Sequence, residues 1–229
     1  MTTRHFTDIF KNEFHIEPER TALVVIDMQN ASASRTEGVG KLLTMREQTA
    51  LGDWRFTRIE KVVLPNLLRL LAFFRNQGLK IVHVAWGSAR EDYSDMPMTL
   101  RPLAMAVGNR AGEPANEFLR ETTPWDGECV IRKRTQSAFM SSSIDQELRA
   151  LNVQCLLFGG VSTNVCVDGT ARDAADLGYN CIILEDACAG VSEELHRAAL
   201  QSFACQSGLV KTTAEVIREI EEKLEVSPK

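Results

Sequence analysis

The sequence is short of the signatures that usually assign a chain. It has no CxxC pair or metal-finger spacing, no GxGxxG after a first strand and no GxxxxGK[ST] loop. A zinc finger, a dinucleotide fingerprint and a phosphate-binding loop are therefore excluded as its organising motif. No apolar run is long enough to span a membrane. Lys and Arg number 26 against 31 Asp and Glu, for a net charge of -5, and the positive residues are scattered. Nothing in that pattern marks a nucleic-acid surface. The first residues, Met-Thr-Thr-Arg-His-Phe-Thr-Asp, hold no apolar signal segment. Of the six cysteines (Cys129, Cys155, Cys166, Cys181, Cys188 and Cys205), Cys129, Cys155 and Cys181 lie in or beside apolar runs. The expectation is reduced thiols in a cytoplasmic protein, not a disulfide set.

What is present suits a globular enzyme. The 229 residues, 44% hydrophobic and 25% charged, are enough for one domain with a sizeable core. Residues 1–20 are polar and read as an arm, and residues 21–229 as a single domain.

The most informative stretch runs from Val153 to Gly178. Val153 to Phe158 is an apolar run of the kind a buried parallel strand requires, and Gly159 and Gly160 are expected to break it. From about Asn164 the apolar spacing becomes helical through Val167, Ala171, Ala174, Ala175 and Leu177, with Gly178 as the stop. Cys166 thus falls in the first turn of a helix that follows a strand. Unpaired N–H groups there favour negative charge, so its thiol is expected to ionise near neutral pH and act as a nucleophile. Taken alone, it could equally be a small packed hydrophobe.

The remaining strands read as Ala22 to Ile26 ending at Asp27, then residues 80–85, 128–131, 180–184 and 209–210. Helices are expected over 59–76 (kinked near Pro65), 141–151, 192–206 and 213–223. Residues 31–53 and 86–112 lack periodicity and are long for plain connections, which suggests site covers or subunit contacts. Strands alternating with helices predict a doubly wound, mostly parallel six-stranded sheet with helices on both faces. Sites in such sheets lie beyond the carboxyl ends of the strands, where Asp27, Lys133 and Cys166 all fall. The chemistry these permit is attack of Cys166 on an amide or ureide carbonyl, with Asp27 moving protons and Lys133 orienting it. Backbone N–H groups around Ser162 and Cys166 are candidates for the oxyanion. Separately, Asp27 could cap a turn, Lys133 could belong to a solvated Arg-Lys-Arg run, and His83 could pair with the cysteine instead.

The runs Val24-Val-Ile-Asp-Met-Gln-Asn30, Lys133 with Ser137-Ala-Phe139, Gly159-Gly-Val-Ser-Thr-Asn-Val-Cys-Val167 and Leu184-Glu-Asp-Ala-Cys188 resemble the isochorismatase-like cysteine hydrolases. The likeness covers about residues 20 to 212. It implies that family's α/β hydrolase fold, a triad of Asp27, Lys133 and Cys166, a cis peptide at Val161–Ser162, and a homo-oligomer, often a tetramer. Isochorismatases proper lack the nucleophile, so the resemblance points to an amidohydrolase. The Asp-x-His metal motif of nicotinamidases is replaced by His83-Val-Ala-Trp86, so neither metal nor cofactor is expected, and Ala31-Ser32 stands where Asp-Phe is usual. Within the family the chain looks most like hydrolases of biuret and triuret, because Gln206 matches their functional glutamine. Ureidoacrylate or N-carbamoyl amino acid hydrolysis, hydrolysis of a different bond class such as a carboxamide on a ring, and a non-enzymatic oligomeric scaffold are the alternatives. Arg35, Trp86, Arg90, Tyr93 and Asn164 are further candidates to bind the small-molecule substrate.

Overall fold

The computed structural model describes residues 14–226; most of the arm expected over residues 1–20 lies outside them. Six strands form one sheet: β1 (Thr21–Ile26), β2 (Lys80–Trp86), β3 (Cys129–Lys133), β4 (Cys155–Val161), β5 (Asn180–Ala189) and β6 (Leu209–Lys211). Their order is β3-β2-β1-β4-β5-β6 and every neighbouring pair is parallel. This is the doubly wound architecture the alternating pattern predicts, and strand order reverses between β1 and β4.

β1 is buried along its whole length, and its side chains divide between two cores. Ala22, Val24 and Ile26 enter one, while Leu23 and Val25 enter the other. A strand covered on both faces has no polar side to show, hence the unbroken apolar run in the sequence.

The helices are α1 (Asn30–Ala33), α2 (Gly38–Met45), α3 (Asp53–Arg58), α4 (Leu64–Asn76), α5 (Arg101–Val107), α6 (Ile144–Ala150), α7 (Asp168–Asp176), α8 (Glu193–Gln206) and α9 (Thr213–Val226). α4 and α9 pack on one core, and α6, α7 and α8 on the other. The helix expected over 59–76 is in two parts. Ile59–Val63 is a π turn in which the Leu64 N–H reaches Ile59 O, and α4 follows. Pro65, the second residue of α4, has no N–H to bond four residues back, and the wider turn absorbs the defect. The segments 31–53 and 86–112, which lack periodicity, contain α1, α2 and α5. These helices are too short to repeat an apolar face.

Gly159 and Gly160 do not break the strand as expected; both lie within β4. Their role is close approach. A Cβ on Gly159 would lie 2.7 Å from Leu67 Cδ2, and one on Gly160 2.0 Å from Ile26 O. Gly160 also has φ +118°, a conformation reserved for glycine. Gly160→Ala should therefore force β1 from β4 at the switch point. The expected loss is about 3 kcal/mol or more, seen as a lower denaturation midpoint, or as no folded protein.

Candidate active site

β1 ends at Ile26, and Asp27 is the first residue beyond it. Its N–H still donates to Val84 O at 2.8 Å, but its φ is +52°, so the chain leaves the strand direction at once. Aspartate is one of the few side chains that tolerate this region. Lys133 is the last residue of β3 and sits two strands away. Its stem crosses the end of β2, and Nζ donates to Asp27 Oδ2 at 2.8 Å and to Thr135 O at 3.1 Å. The lysine side chain is fully buried and the carboxylate nearly so. The sequence placed the lysine just past a shorter third strand; β3 runs on to Lys133 itself.

Cys166 arrives from across the switch point. It lies in a π turn, Thr163–Val167, that leads into α7. The Val161–Ser162 peptide before this turn is cis. Among the described residues, the Ser162 N–H has no hydrogen-bond acceptor. Thr163 Oγ1 bonds buried His196 Nδ1 at 2.8 Å, and Asn164 Oδ1 accepts from the Val191 N–H at 3.0 Å. These two contacts fix the turn against the end of β5 and the start of α8.

The thiol adjoins both the carboxylate and the ammonium closely enough for each to act on it. Burial pushes it up to about 12; Lys133 opposes that rise and Asp27 adds to it. The direction favours a neutral thiol at rest and runs against the expectation of a thiolate near neutral pH. The physical reason is burial, which outweighs the pull of Lys133, while the Asp27 carboxylate adds to the rise. Burial likewise pushes the Asp27 carboxyl above its ordinary range against the pull of Lys133. Burial works against the Lys133 ammonium, but Asp27 and Cys166 hold it charged, above the usual lysine value. Asp27 Oδ1 is buried with no hydrogen bond, an acceptor left open beside the thiol.

Asp27 and Cys166 open on a pocket of about 350 Å³, whose polar lining also includes Ser32, Arg55, Trp86 and Ser162, with Lys133 buried behind Asp27. Arg55 is buried and ties three segments together. Nη1 donates to Ser162 Oγ at 2.7 Å and to Gly190 O at 3.0 Å, and Nη2 to Ser32 O at 2.8 Å. Burial lowers its pKa to about 10 against the pull of Cys166 and Asp27. The Trp86 Nε1–H donates to Ser32 Oγ at 2.6 Å. Behind this wall, buried Gln29 accepts from the Trp86 N–H at 2.9 Å and donates to Trp86 O and Asn116 O.

The sequence matches the isochorismatase domain over residues 21–217. The chain belongs to the isochorismatase family. It is 30% identical over 213 residues to an uncharacterised isochorismatase family protein, YwoC, of Bacillus subtilis, with 91% of this chain and 98% of that one covered. It is also 30% identical over 220 residues to the ureidoacrylate amidohydrolase RutB of Variovorax paradoxus, covering 86% and 80%. A cysteine hydrolase from Pseudomonas syringae superposes with a TM-score of 0.78 at 26% identity, covering 92% and 97%.

Within this family fold, several sequence candidates stand away from the pocket. Gln206, exposed, is the last residue of α8, three residues before β6 begins. The helix starts from the carboxyl end of β5 and returns to the amino end of β6, so Gln206 lies at the opposite edge of the sheet from Asp27. Arg35 is held on the surface by Glu60 at 2.8 Å and Asp53 at 3.0 Å. Exposed Arg90 donates to Ser94 Oγ at 3.2 Å, and Tyr93 packs beside Trp86 and Met96 without lining the cavity. Asn164 braces the π turn and does not line the pocket. His83 is bound to Glu128 Oε2 at 2.8 Å near the start of β3, so the alternative cysteine–histidine pair does not form. Among the described residues no three His, Cys, Asp or Glu side chains gather as a metal set.

Arg55 and Gln29 were not singled out by the sequence reading. The one available signal for Arg55 was its position between Trp54 and Phe56, a charge flanked by aromatics. For Gln29 it was membership of the Asp-Met-Gln-Asn run.

A neutral resting thiol fixes the pH response of alkylation. Thiolate is the reactive form, and it is scarce until pH approaches the thiol's raised pKa of about 12. The iodoacetamide rate at Cys166 should therefore climb about tenfold per pH unit from 7 to 10, with no plateau near 8. A plateau below pH 8 would show a preformed thiolate.

Proposed function

We propose that the protein is a cysteine-dependent amidohydrolase that cleaves the C–N bond of a small amide or ureide. The observation that carries the reading is the meeting of Asp27, Lys133 and Cys166, with the carboxylate and the thiol lining the pocket beside a Ser162 N–H that has no acceptor.

As substrate binds, the Cys166 proton passes to Asp27, and sulfur attacks the carbonyl carbon. The C=O electron pair moves onto oxygen, where the Ser162 and Cys166 N–H groups stabilise it. Collapse breaks the C–N bond, and Asp27 returns the proton to the leaving nitrogen. Water then attacks the acyl–sulfur carbon and gives its proton to Asp27. Loss of the thiolate breaks the C–S bond, and the proton returns to sulfur. Throughout, Lys133 keeps the carboxylate oriented and offsets the negative charge that forms near it. A neutral thiol suits this cycle, because the proton Asp27 takes in the first step is the one the leaving amine needs.

Similarity to ureidoacrylate amidohydrolases along most of both chains supports amide or ureide chemistry. Biuret and triuret remain within that class. The feature that singled them out was Gln206, and its place at the far edge of the sheet removes that motive. The scaffold alternative gives no reason for burying an ion pair beside a thiol, an arrangement that is costly without a use.

Incubating the protein with ureidoacrylate, N-carbamoyl amino acids, biuret, triuret and simple carboxamides should release ammonia from at least one of them. Cys166→Ala and Asp27→Asn should each lower kcat by about 10³-fold or more, and an acyl adduct on Cys166 should be seen by intact mass. Full activity in Cys166→Ala would overturn the mechanism. Lys133→Met should cost about 3–5 kcal/mol of stability as well as activity, since it leaves Asp27 buried without a counter-ion; calorimetric unfolding measures this.

A further inference from the structure

Apart from Asp27 Oδ1, the polar side chains of the pocket are already engaged with one another or with backbone. Asp27 holds Lys133, Arg55 binds Ser162 Oγ, Gly190 O and Ser32 O, and Ser32 Oγ takes the Trp86 N–H. All of them cluster at the thiol end. Away from that end the wall is hydrocarbon: Leu43 from α2, Leu51 from the 3-10 turn Thr49–Gly52, Phe56 from α3, Leu100 and Leu103 at α5, and Val191 beyond β5. Phe56 is buried, Leu43 and Leu100 are half-buried, and Leu51, Leu103 and Val191 are exposed. The apolar lining is thus continuous from the buried part of the cavity to its mouth.

This distribution decides between substrate shapes. A chain of linked ureas carries N–H and C=O groups along its full length. The reacting carbonyl would find the Ser162 N–H, and one N–H beside it could reach Asp27 Oδ1. The other polar groups would be taken from water against leucine and phenylalanine without partners, a loss of about tenfold or more for each. A hydrocarbon group of similar size gains by the same transfer.

Building on the proposed hydrolase reading, we infer that the substrate is a carboxamide or carbamoyl compound whose remaining body is hydrocarbon, aromatic or branched aliphatic. Selectivity for that body lies in Leu43, Phe56, Leu100 and Leu103. The reacting amide occupies the thiol end, and the apolar body fills the recess between α2, α3 and α5.

Two measurements test this. In Cys166→Ser protein, titration calorimetry should show phenylacetamide and hexanamide binding at least about tenfold tighter than triuret or ureidoacrylate. In the wild-type enzyme, the same amides should have the higher kcat/KM. Leu43→Gln and Leu103→Gln should raise KM for phenylacetamide about tenfold while changing kcat less than about twofold. Equal or tighter binding of triuret or ureidoacrylate would overturn the inference, whether or not they are turned over. Tight binding of the hydrocarbon amides without Cys166-dependent turnover would leave the inference standing and remove the hydrolase reading. Turnover of the ureides in preference to them would do the reverse.

Discussion

A single ion pair, Lys133 to Asp27, sets the terms for everything around it. Both partners are buried at the end of the sheet, and withdrawing two charges from water is unfavourable by several kcal/mol each unless each finds its counter-charge in good geometry. The pair joins β3 to β1 across the end of β2, so the strand ends must be held in register for the 2.8 Å contact to exist. The buried clamp of Gln29 on Trp86 does this from behind. It takes the Trp86 N–H and gives a donor to the Trp86 carbonyl, which also accepts from Asn109 and Asn116. A network so fully satisfied is rigid, and a rigid support is what a charge pair in low dielectric requires.

The same pair explains why the thiol differs from the general case of a cysteine at a helix start. An isolated lysine beside Cys166 would favour the thiolate. Here the ammonium is neutralised by a carboxylate in contact with the same sulfur, and burial decides the balance in favour of the thiol. Reactivity is consequently conditional on substrate. On the proposed mechanism, the sulfur has reason to release its proton only when negative charge can move onto a carbonyl oxygen next to the Ser162 N–H. A chain with five other cysteines gains selectivity from this, because only the thiol beside a base and an open oxyanion position is driven to react.

Much of this was legible in the sequence, for identifiable reasons. A parallel strand buried on both faces leaves an unbroken apolar run, and the residue where the run stops marks the carboxyl end. Asp27 could be placed by that argument. Lys133 could be placed only approximately, since β3 alternates buried and exposed positions near its end and its last two residues are Arg and Lys. The error at Gln206 had a different origin. It came from matching one residue to a motif, although the crossover order already placed it at the wrong edge. A helix that starts from the carboxyl end of one parallel strand must end near the amino end of the next. Arg55 was illegible for another reason: it makes its three bonds to Ser162, Gly190 and Ser32, none of them near it in sequence.

The division of labour between strand ends and loops follows from the same geometry. Asp27 and Lys133 are fixed by the sheet register, and the turn that carries Cys166 leaves β4 directly, so none of the three can shift without disturbing the core. The hydrocarbon wall comes instead from α2, α3, α5 and the residues after β5, segments whose backbones lie outside the sheet ladder. A leucine there can change size or polarity without altering strand pairing. The reacting centre and the surface that receives the rest of the substrate are therefore separable. On the proposed reading, changes in the wall would alter which amide is held without altering how its C–N bond is broken.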